Sequence, residues 1–343
     1  SMWLSNTATT IMMLPIALSV IGKGEGDGQF AKCLLLGVAY SASIGGMGTI
    51  IGTPPNLYVA SYFNDVLGTE IGFLRWMTIG IPCVLVLLPC AWFYLTRVHF
   101  SLPAALDAGS LQIGGRPLVW RELERGGRAT LIIFGTVVCG WLTRPWIADL
   151  TLFGQTPFSY LTDAGVALMA ACTLFVIPVD LKAGKFVLDW PDTRELPWGT
   201  LILFGGGLSL AATINATGAD EAIGVWVSGL PSISPIILLT VIVGLVVLLT
   251  ELTSNIATTA TLVPVLAAAA PLLGLDPERV IAMVALAASC AFMLPVATPP
   301  NAIIFGSGRI SAPDMASAGA IMNLLSLLVI TAVGYELIPW ALR

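Results

Sequence analysis

Two short runs of hydroxyl and amide side chains recur in this sequence, each at a similar distance from a second recurring run. Ser5-Asn6-Thr7-Ala8-Thr9-Thr10 returns as Ser254-Asn255-Ile256-Ala257-Thr258-Thr259. Thr53-Pro54-Pro55-Asn56 returns as Thr298-Pro299-Pro300-Asn301, 48 residues after Ser5 and 44 after Ser254. Hydroxyl and amide oxygens are hard, neutral ligands that suit a small cation. The N–H groups that open a helix, with the partial positive charge of that end, are donors for an anion. One Ser-Asn-Thr tip can therefore hold a cation on one side and an anion on the other. Proline cannot continue the hydrogen-bond ladder, so Pro54-Pro55 and Pro299-Pro300 are expected to open a helix and expose carbonyl oxygens. Leu14-Pro15 and Val263-Pro264 follow the two tips at one common offset, so the chain reads as two related halves.

The elements that must carry these runs follow from composition. The 343 residues are 57% hydrophobic and 10% charged, where a soluble domain carries about 25% charged residues. With 15 Lys+Arg against 20 Asp+Glu there is no basic excess either. This excludes a soluble enzyme, a disordered chain and a nucleic-acid binder, and leaves an all-α, polytopic membrane protein. Apolar segments of spanning length cover 30–62, 72–96, 129–147, 160–178, 197–216, 279–307 and 316–341. Shorter runs at 8–22, 233–251 and 256–273 read as arms of two re-entrant hairpins. The charged stretches 98–128 and 179–196 read as solvent-side connectors or interfacial helices. Tryptophans 76, 92, 120, 190, 198 and 340 sit near predicted helix ends as interfacial anchors. The six cysteines stand singly in apolar runs and read as small core residues, and the single histidine, His99, rules out a His-rich metal site.

Charge asymmetry orients the chain. If the arm 8–22 ends in the cytoplasm, Lys23, Lys32, Arg97, Arg116, Arg121, Arg125, Arg128, Lys182, Lys185, Arg194 and Arg309 fall on that side. Only Arg75, Arg144, Arg279 and Arg343 fall outside. An odd number of crossings then separates the two motifs, so the halves are inverted repeats, the architecture of a transporter with a midplane site. No Lys, Arg or His occurs within 1–20, 40–60, 240–273 or 286–305. An anion bound there must be balanced by bound cations and helix ends, which favours cation-coupled transport over exchange of one anion for another. Glu251 is an ionisable residue at membrane depth, either functional or hydrogen-bonded and structural. Gly45, Gly46 and Gly48 can serve close helix packing, the site, or both.

Taken together, Ser1-Met2-Trp3-Leu4-Ser5-Asn6-Thr7-Ala8-Thr9-Thr10, Gly45-Gly46-Met47-Gly48-Thr49-Ile50-Ile51-Gly52-Thr53-Pro54-Pro55-Asn56, Thr250-Glu251-Leu252-Thr253-Ser254-Asn255-Ile256-Ala257-Thr258-Thr259 and Ala297-Thr298-Pro299-Pro300-Asn301 resemble the divalent anion/sodium symporter family of di- and tricarboxylate and sulfate transporters. The resemblance runs over the whole chain. It implies an elevator-type transporter, a homodimer in the bacterial inner membrane, and an N-terminal part that lies outside this sequence, since the chain opens inside the first motif. It implies one sodium site from Ser1, Ser5, Asn6 and the carbonyl of Gly52, and a second from Thr250, the backbone at Thr253, Asn255 and Ala297. Substrate carboxylates are expected at Asn6, Thr7, Thr53 and Pro54 in one half, and at Asn255, Thr298 and Pro299 in the other. Ile256 departs from the Ser-Asn-Thr pattern, so contact with substrate on that side becomes partly apolar. The expected cargo is a C4-dicarboxylate such as succinate, fumarate or malate, with sodium. A citrate or sulfate symporter, a dicarboxylate exchanger and an anion channel are the alternatives. An enzyme is not expected, because no nucleophile, base or metal-ligand set lies at depth. By the same resemblance 1–96 and 231–343 form the moving transport part. Residues 97–230 form the scaffold, with dimerising helices in 129–216 and connecting arms at 98–128 and 217–230.

Overall fold

The apolar runs fold largely as helices, several of them capped by Ser or Thr or opened by Pro. The computed structural model describes residues 1–22, 28–100, 102, 120, 123–151, 154–219 and 233–342. Most of both connecting arms, and with them Arg116 and Arg121, lie outside the described residues, as does Lys23. In chain order the helices are α1 (Asn6–Ile21), α2 (Gly28–Gly46), α3 (Pro54–Tyr62), α4 (Phe73–Phe93), α5 (Arg125–Ala148), α6 (Asp163–Val176), α7 (Trp198–Thr217), α8 (Pro235–Leu252), α9 (Asn255–Ala269), α10 (Pro277–Ala288), α11 (Pro299–Phe305), α12 (Ala312–Glu336) and α13 (Ile338–Ala341). Among the described residues α4 with its π-helical extension to His99, α5, α8 and α12 are long and apolar enough to cross a membrane.

Three expectations change. The helices are not broken at Pro-Pro. α2 already ends at Gly46 and α10 at Ala288, and the prolines open the helices that follow. The first N–H groups of a helix have no intrahelical acceptor, so proline costs nothing there and its fixed φ suits the first turn. The unwound segments are therefore 47–53 and 289–298, upstream of the prolines. Second, the segment 160–178 holds a helix of only 14 residues, about 21 Å at 1.5 Å per residue, short of the hydrocarbon thickness. Third, the described residues are mostly helical, as expected of an all-α chain, but they include one short ribbon: β1 (Pro178–Asp180) pairs antiparallel with β2 (Lys185–Phe186). Asp180 turns that ribbon by accepting the Lys182 and Ala183 N–H groups, and Gly184 supplies the positive φ of 65°.

By contacts the chain forms two units. The first takes 1–71, 75–113 and 199–343; the second takes 72–74 and 114–198. Helix α7 thus falls in the first unit, where the sequence grouped it with the scaffold helices. At the centre of the first unit α10 is buried on every side from Val280 to Ala288, and its alanines let neighbouring backbones close in. The packing around it is reciprocal. α1 lies on α2 and α11, α9 lies on α10 and α3, α2 meets α11, and α10 meets α3. Each arm that follows a tip thus touches the helix before the break in its own half and the helix after the break in the other. A Lys32–Asp314 ion pair of 2.8 Å fastens α2 to α12.

In the second unit α5 packs on α6. Arg144 pairs with Asp163 at 2.7 Å, the Trp141 indole donates to the Asp163 carbonyl, and the other Asp163 oxygen accepts the Phe73 N–H at 2.6 Å. Cys139 and Cys172 are exposed here, against the reading of all six cysteines as core; Cys33, Cys83 and Cys290 are buried.

Candidate functional site

The first tip lies against the break that follows α2. Ser1 Oγ donates to the Ala42 carbonyl at 2.7 Å, and Thr49 Oγ1 to the Met2 carbonyl at 2.5 Å. A Cβ at Gly45 would fall on Ser1 Oγ, one at Gly46 on the Asn6 amide, and one at Gly48 on the Met2 side chain. These glycines are needed because the tip occupies the space a side chain would take. Asn6 Oδ1 is buried there and accepts no hydrogen bond among the described residues. A Cβ at Gly52 would fall on the Gly46 carbonyl, so the break curls back onto its own start. Of the expected sodium ligands, Ser1, Asn6 and Gly52 thus gather around Gly45-Gly46. Ser5 stands at the exposed edge and caps α1, accepting the Ala8 N–H at 3.2 Å. Thr7 lies half-buried in the first turn of α1, Thr53 is the buried residue that precedes α3, and Pro54, half-buried, opens that helix.

The second tip repeats this plan with different side chains. Ser254 caps α9 by accepting the Ala257 N–H at 3.1 Å. Thr10 Oγ1 donates back to the Asn6 carbonyl at 2.8 Å, and Thr259 Oγ1 to the Asn255 carbonyl at 2.7 Å. Thr250 Oγ1 lies 2.8 Å from both Asn255 Oδ1 and the Ala288 carbonyl. A hydroxyl carries one proton, so three oxygens converge on a single hydrogen. Thr253 Oγ1 lies 2.5 Å from Thr258 Oγ1 and 3.0 Å from the Leu249 carbonyl. Ile256 is half-buried in the first turn of α9. Ala297 is buried in the break with its N–H on the Leu294 carbonyl. Thr298 caps α11 through the Asn301 N–H at 3.2 Å, and Pro299 is exposed.

Asn56 and Asn301 do work that the sequence did not assign to them. Asn56 Nδ2 donates to the Gly46 carbonyl at 3.1 Å and the Thr49 carbonyl at 2.8 Å. Asn301 Nδ2 donates to the Ala291 carbonyl at 3.1 Å and the Leu294 carbonyl at 3.0 Å. In both halves the acceptors stand ten and seven residues upstream. The motif showed these residues, but their partners become visible only once the break is placed before the prolines. A helix glycine also meets each break. A Cβ at Gly80 of α4 would fall on the Met47 carbonyl, and one at Gly319 of α12 on the Phe292 carbonyl. Those two carbonyls accept from Trp76 Nε1 and from the Tyr40 hydroxyl, both at 3.1 Å. Met47 and Cys290 touch through sulfur, so the two breaks lie side by side.

Glu251 resolves in favour of hydrogen bonding. Its Oε1 accepts the Phe292 N–H at 2.7 Å and the Met293 N–H at 2.9 Å, and its Oε2 accepts the Leu294 N–H at 3.0 Å. Asn323 Nδ2, from α12, donates to Oε1 at 2.8 Å. The site thus presents acceptor oxygens in excess of protons at both tips, and no fixed cation lies in either tip or break sequence. Such a set is complementary to a small hard cation.

Comparison with known proteins agrees with this chemistry. A family model described as the sodium:sulfate symporter transmembrane region matches residues 1–341. A sodium-dependent dicarboxylate transporter, SdcS, of Staphylococcus saprophyticus is 38% identical over 356 aligned residues, covering 99% of this chain and 67% of that protein. SdcS of Staphylococcus aureus is 39% identical over 358 aligned residues, with the same shares covered.

Proposed function

Because the chain belongs to the sodium:sulfate symporter family, we propose that it carries small dicarboxylates across a cell membrane by sodium-coupled symport, with succinate, fumarate and malate as the expected cargo. Sodium is co-transported and plays no catalytic part. The observation that carries this reading is the proton shortage at the tips: Asn6 Oδ1 with no donor, and Thr250 Oγ1, Asn255 Oδ1 and the Ala288 carbonyl sharing one hydrogen. A bound cation satisfies such oxygens and supplies the positive charge that an anion needs in a segment without Lys, Arg or His.

One sodium ion is assigned to Ser1, Ser5, Asn6 and the Gly52 carbonyl, the other to Thr250, Thr253, Asn255 and Ala297. The dicarboxylate is assigned to Asn6, Thr7, Thr53 and Pro54 with Asn255, Ile256, Thr298 and Pro299. The matching asparagine tethers and the reciprocal packing of α1, α2 and α3 with α9, α10 and α11 support an inverted-repeat transporter. In that reading 1–96 and 231–343 move as an elevator against the scaffold 97–230. The exposed apolar side chains of α5 and α6, among them Ile132, Trp146, Leu168 and Val176, support a face for lipid or for the partner of a homodimer. Membership of a symporter family supports a carrier, and no catalytic role is assigned to any residue.

The test is labelled succinate uptake into proteoliposomes holding the whole protein, under an inward sodium gradient and then with potassium in its place. Uptake that requires sodium and is lost in both Asn6→Ala and Asn255→Ala is the expected result. Uptake indifferent to sodium but driven by internal dicarboxylate overturns it in favour of an exchanger. Unlabelled citrate and sulfate serve as competitors and define the cargo.

A further inference from the structure

The buried amide of Asn323 lies outside the two tips and meets a carboxylate at their depth. It sits on α12, 7% exposed, one turn before the buried Ser326. Its Oδ1 accepts no hydrogen bond among the described residues. Its single bond runs from Nδ2 to Glu251 Oε1 at 2.8 Å. An amide left half-satisfied in the core is a net cost to folding, so its place calls for another reason. Among the described residues Glu251 has no cationic partner: its oxygens are met there by Asn323 and by three backbone N–H groups of the break. Thr250, next to it, belongs to the shared-proton cluster with Asn255 and Ala288. The peptide at Phe292 is then held on its other side by the Tyr40 hydroxyl and lies against Gly319, again on α12.

We infer that Asn323 is a positioning residue for the second cation site, acting through the Glu251 carboxylate. Asn323 touches neither ion nor substrate. It fixes one carboxylate oxygen, the carboxylate gathers the amides of 292–294, and the break is thereby set in the shape that places its carbonyls and the adjoining Thr250–Asn255 pair. A correctly placed ligand set binds sodium without first paying to reorganise. Loss of the Asn323 donor lets the carboxylate turn, and sodium must then restore the geometry from its own binding energy. This inference rests on the sodium-symport reading above.

The test compares wild type, Asn323→Leu and Asn323→Asp in the whole protein. Two curves are read: sodium activation of succinate uptake, and the sodium-induced rise in melting temperature in detergent without succinate. Asn323→Leu keeps the branched shape, with some added bulk, and removes the donor. The half-saturating sodium concentration is expected to rise about tenfold in both curves, the equilibrium equivalent of one lost hydrogen bond to a charged group. The succinate KM at saturating sodium should stay within about twofold, since uniform substrate binding is untouched. Asn323→Asp places a second carboxyl against Glu251, which can donate only when protonated. Both variants remove the amide donor, so the Asn323→Asp sodium curve should shift in the same direction as that of Asn323→Leu. A merely structural asparagine predicts lowered melting temperature with an unmoved sodium curve, and that result overturns the inference. So does an Asn323→Asp sodium curve that coincides with that of wild type, which decides the matter even where Asn323→Leu does not fold. Wild-type uptake without any sodium requirement would instead overturn the symport reading itself.

Discussion

After α2 the chain keeps turn-like hydrogen bonds into the break, Met47 N–H to the Ile44 carbonyl at 3.2 Å and Gly48 N–H to the Gly45 carbonyl at 3.1 Å. After α10 the N–H groups of Phe292, Met293 and Leu294 leave the ladder and converge on Glu251. The carbonyl oxygens are fastened alike in the two halves, by Asn56 and by Asn301. The amide hydrogens are not. Where the second half has Glu251, the first has Met2, whose side chain packs on Gly48. One break is held by close contact that only glycine permits, the other by a buried anion. The same local shape can thus be reached by removing side chains or by adding a charge, and the two solutions fail differently under mutation.

The largest expected effect follows from the tight half. Gly46→Ala puts a Cβ into the Asn6 amide and should lower initial succinate uptake by about a hundredfold or more, the size expected when a binding group is displaced by about 1 Å. At the corresponding position the second half already carries a side chain, and Ala291→Gly should change uptake by less than about threefold, the size of a modest side-chain truncation. Equal losses in the two variants would break the comparison. The charged half should instead fail in stability. Glu251→Gln turns an NH2 group toward backbone donors and should cost about 2–3 kcal/mol in detergent unfolding experiments, against less than about 1.5 kcal/mol for the volume-conserving Met2→Leu. Next comes Trp76→Phe, which deletes one hydrogen bond to the Met47 carbonyl and should cost about 1 kcal/mol in the same unfolding measurement. The smallest effect belongs to the half-buried Lys32–Asp314 pair. Lys32→Met should cost about 0.5 kcal/mol or less, and the difference from wild type should shrink as salt is raised.

The sequence made the tips and breaks legible because their residues are polar where everything around them is apolar. Ser5, Asn6, Asn255 and Thr298 could be read as residues of the tips and breaks from type and spacing alone. What could not be read was which atoms face which. Glu251 meets amides more than forty residues away and an asparagine 72 residues away, and no local pattern encodes either distance. The prolines misled because proline forbids a helix interior yet favours a helix start, and the sequence alone does not say which side of the pair is unwound. Apolarity also overstated the segment 160–178: the run continues through Val176 into the strand at Pro178, and composition does not separate a helix end from a short ribbon. The cysteines at 139 and 172 look no different from Cys290 in sequence, since an apolar helix surface facing lipid or a partner has the composition of a core.

The tethers at Asn56 and Asn301 have one more consequence. The carbonyls they fasten belong to their own half, and the shortest bonds fall at the same two distances along the chain. Each break is thus a cassette that carries its own clasp. A gene fragment encoding such a cassette can be duplicated, and either copy can then drift, without the other having to be redesigned to keep its shape. Thr7 and Ile256 stand at the same step of the two cassettes and show where such drift is permitted: on the rim, while the clasp beneath stays as it was.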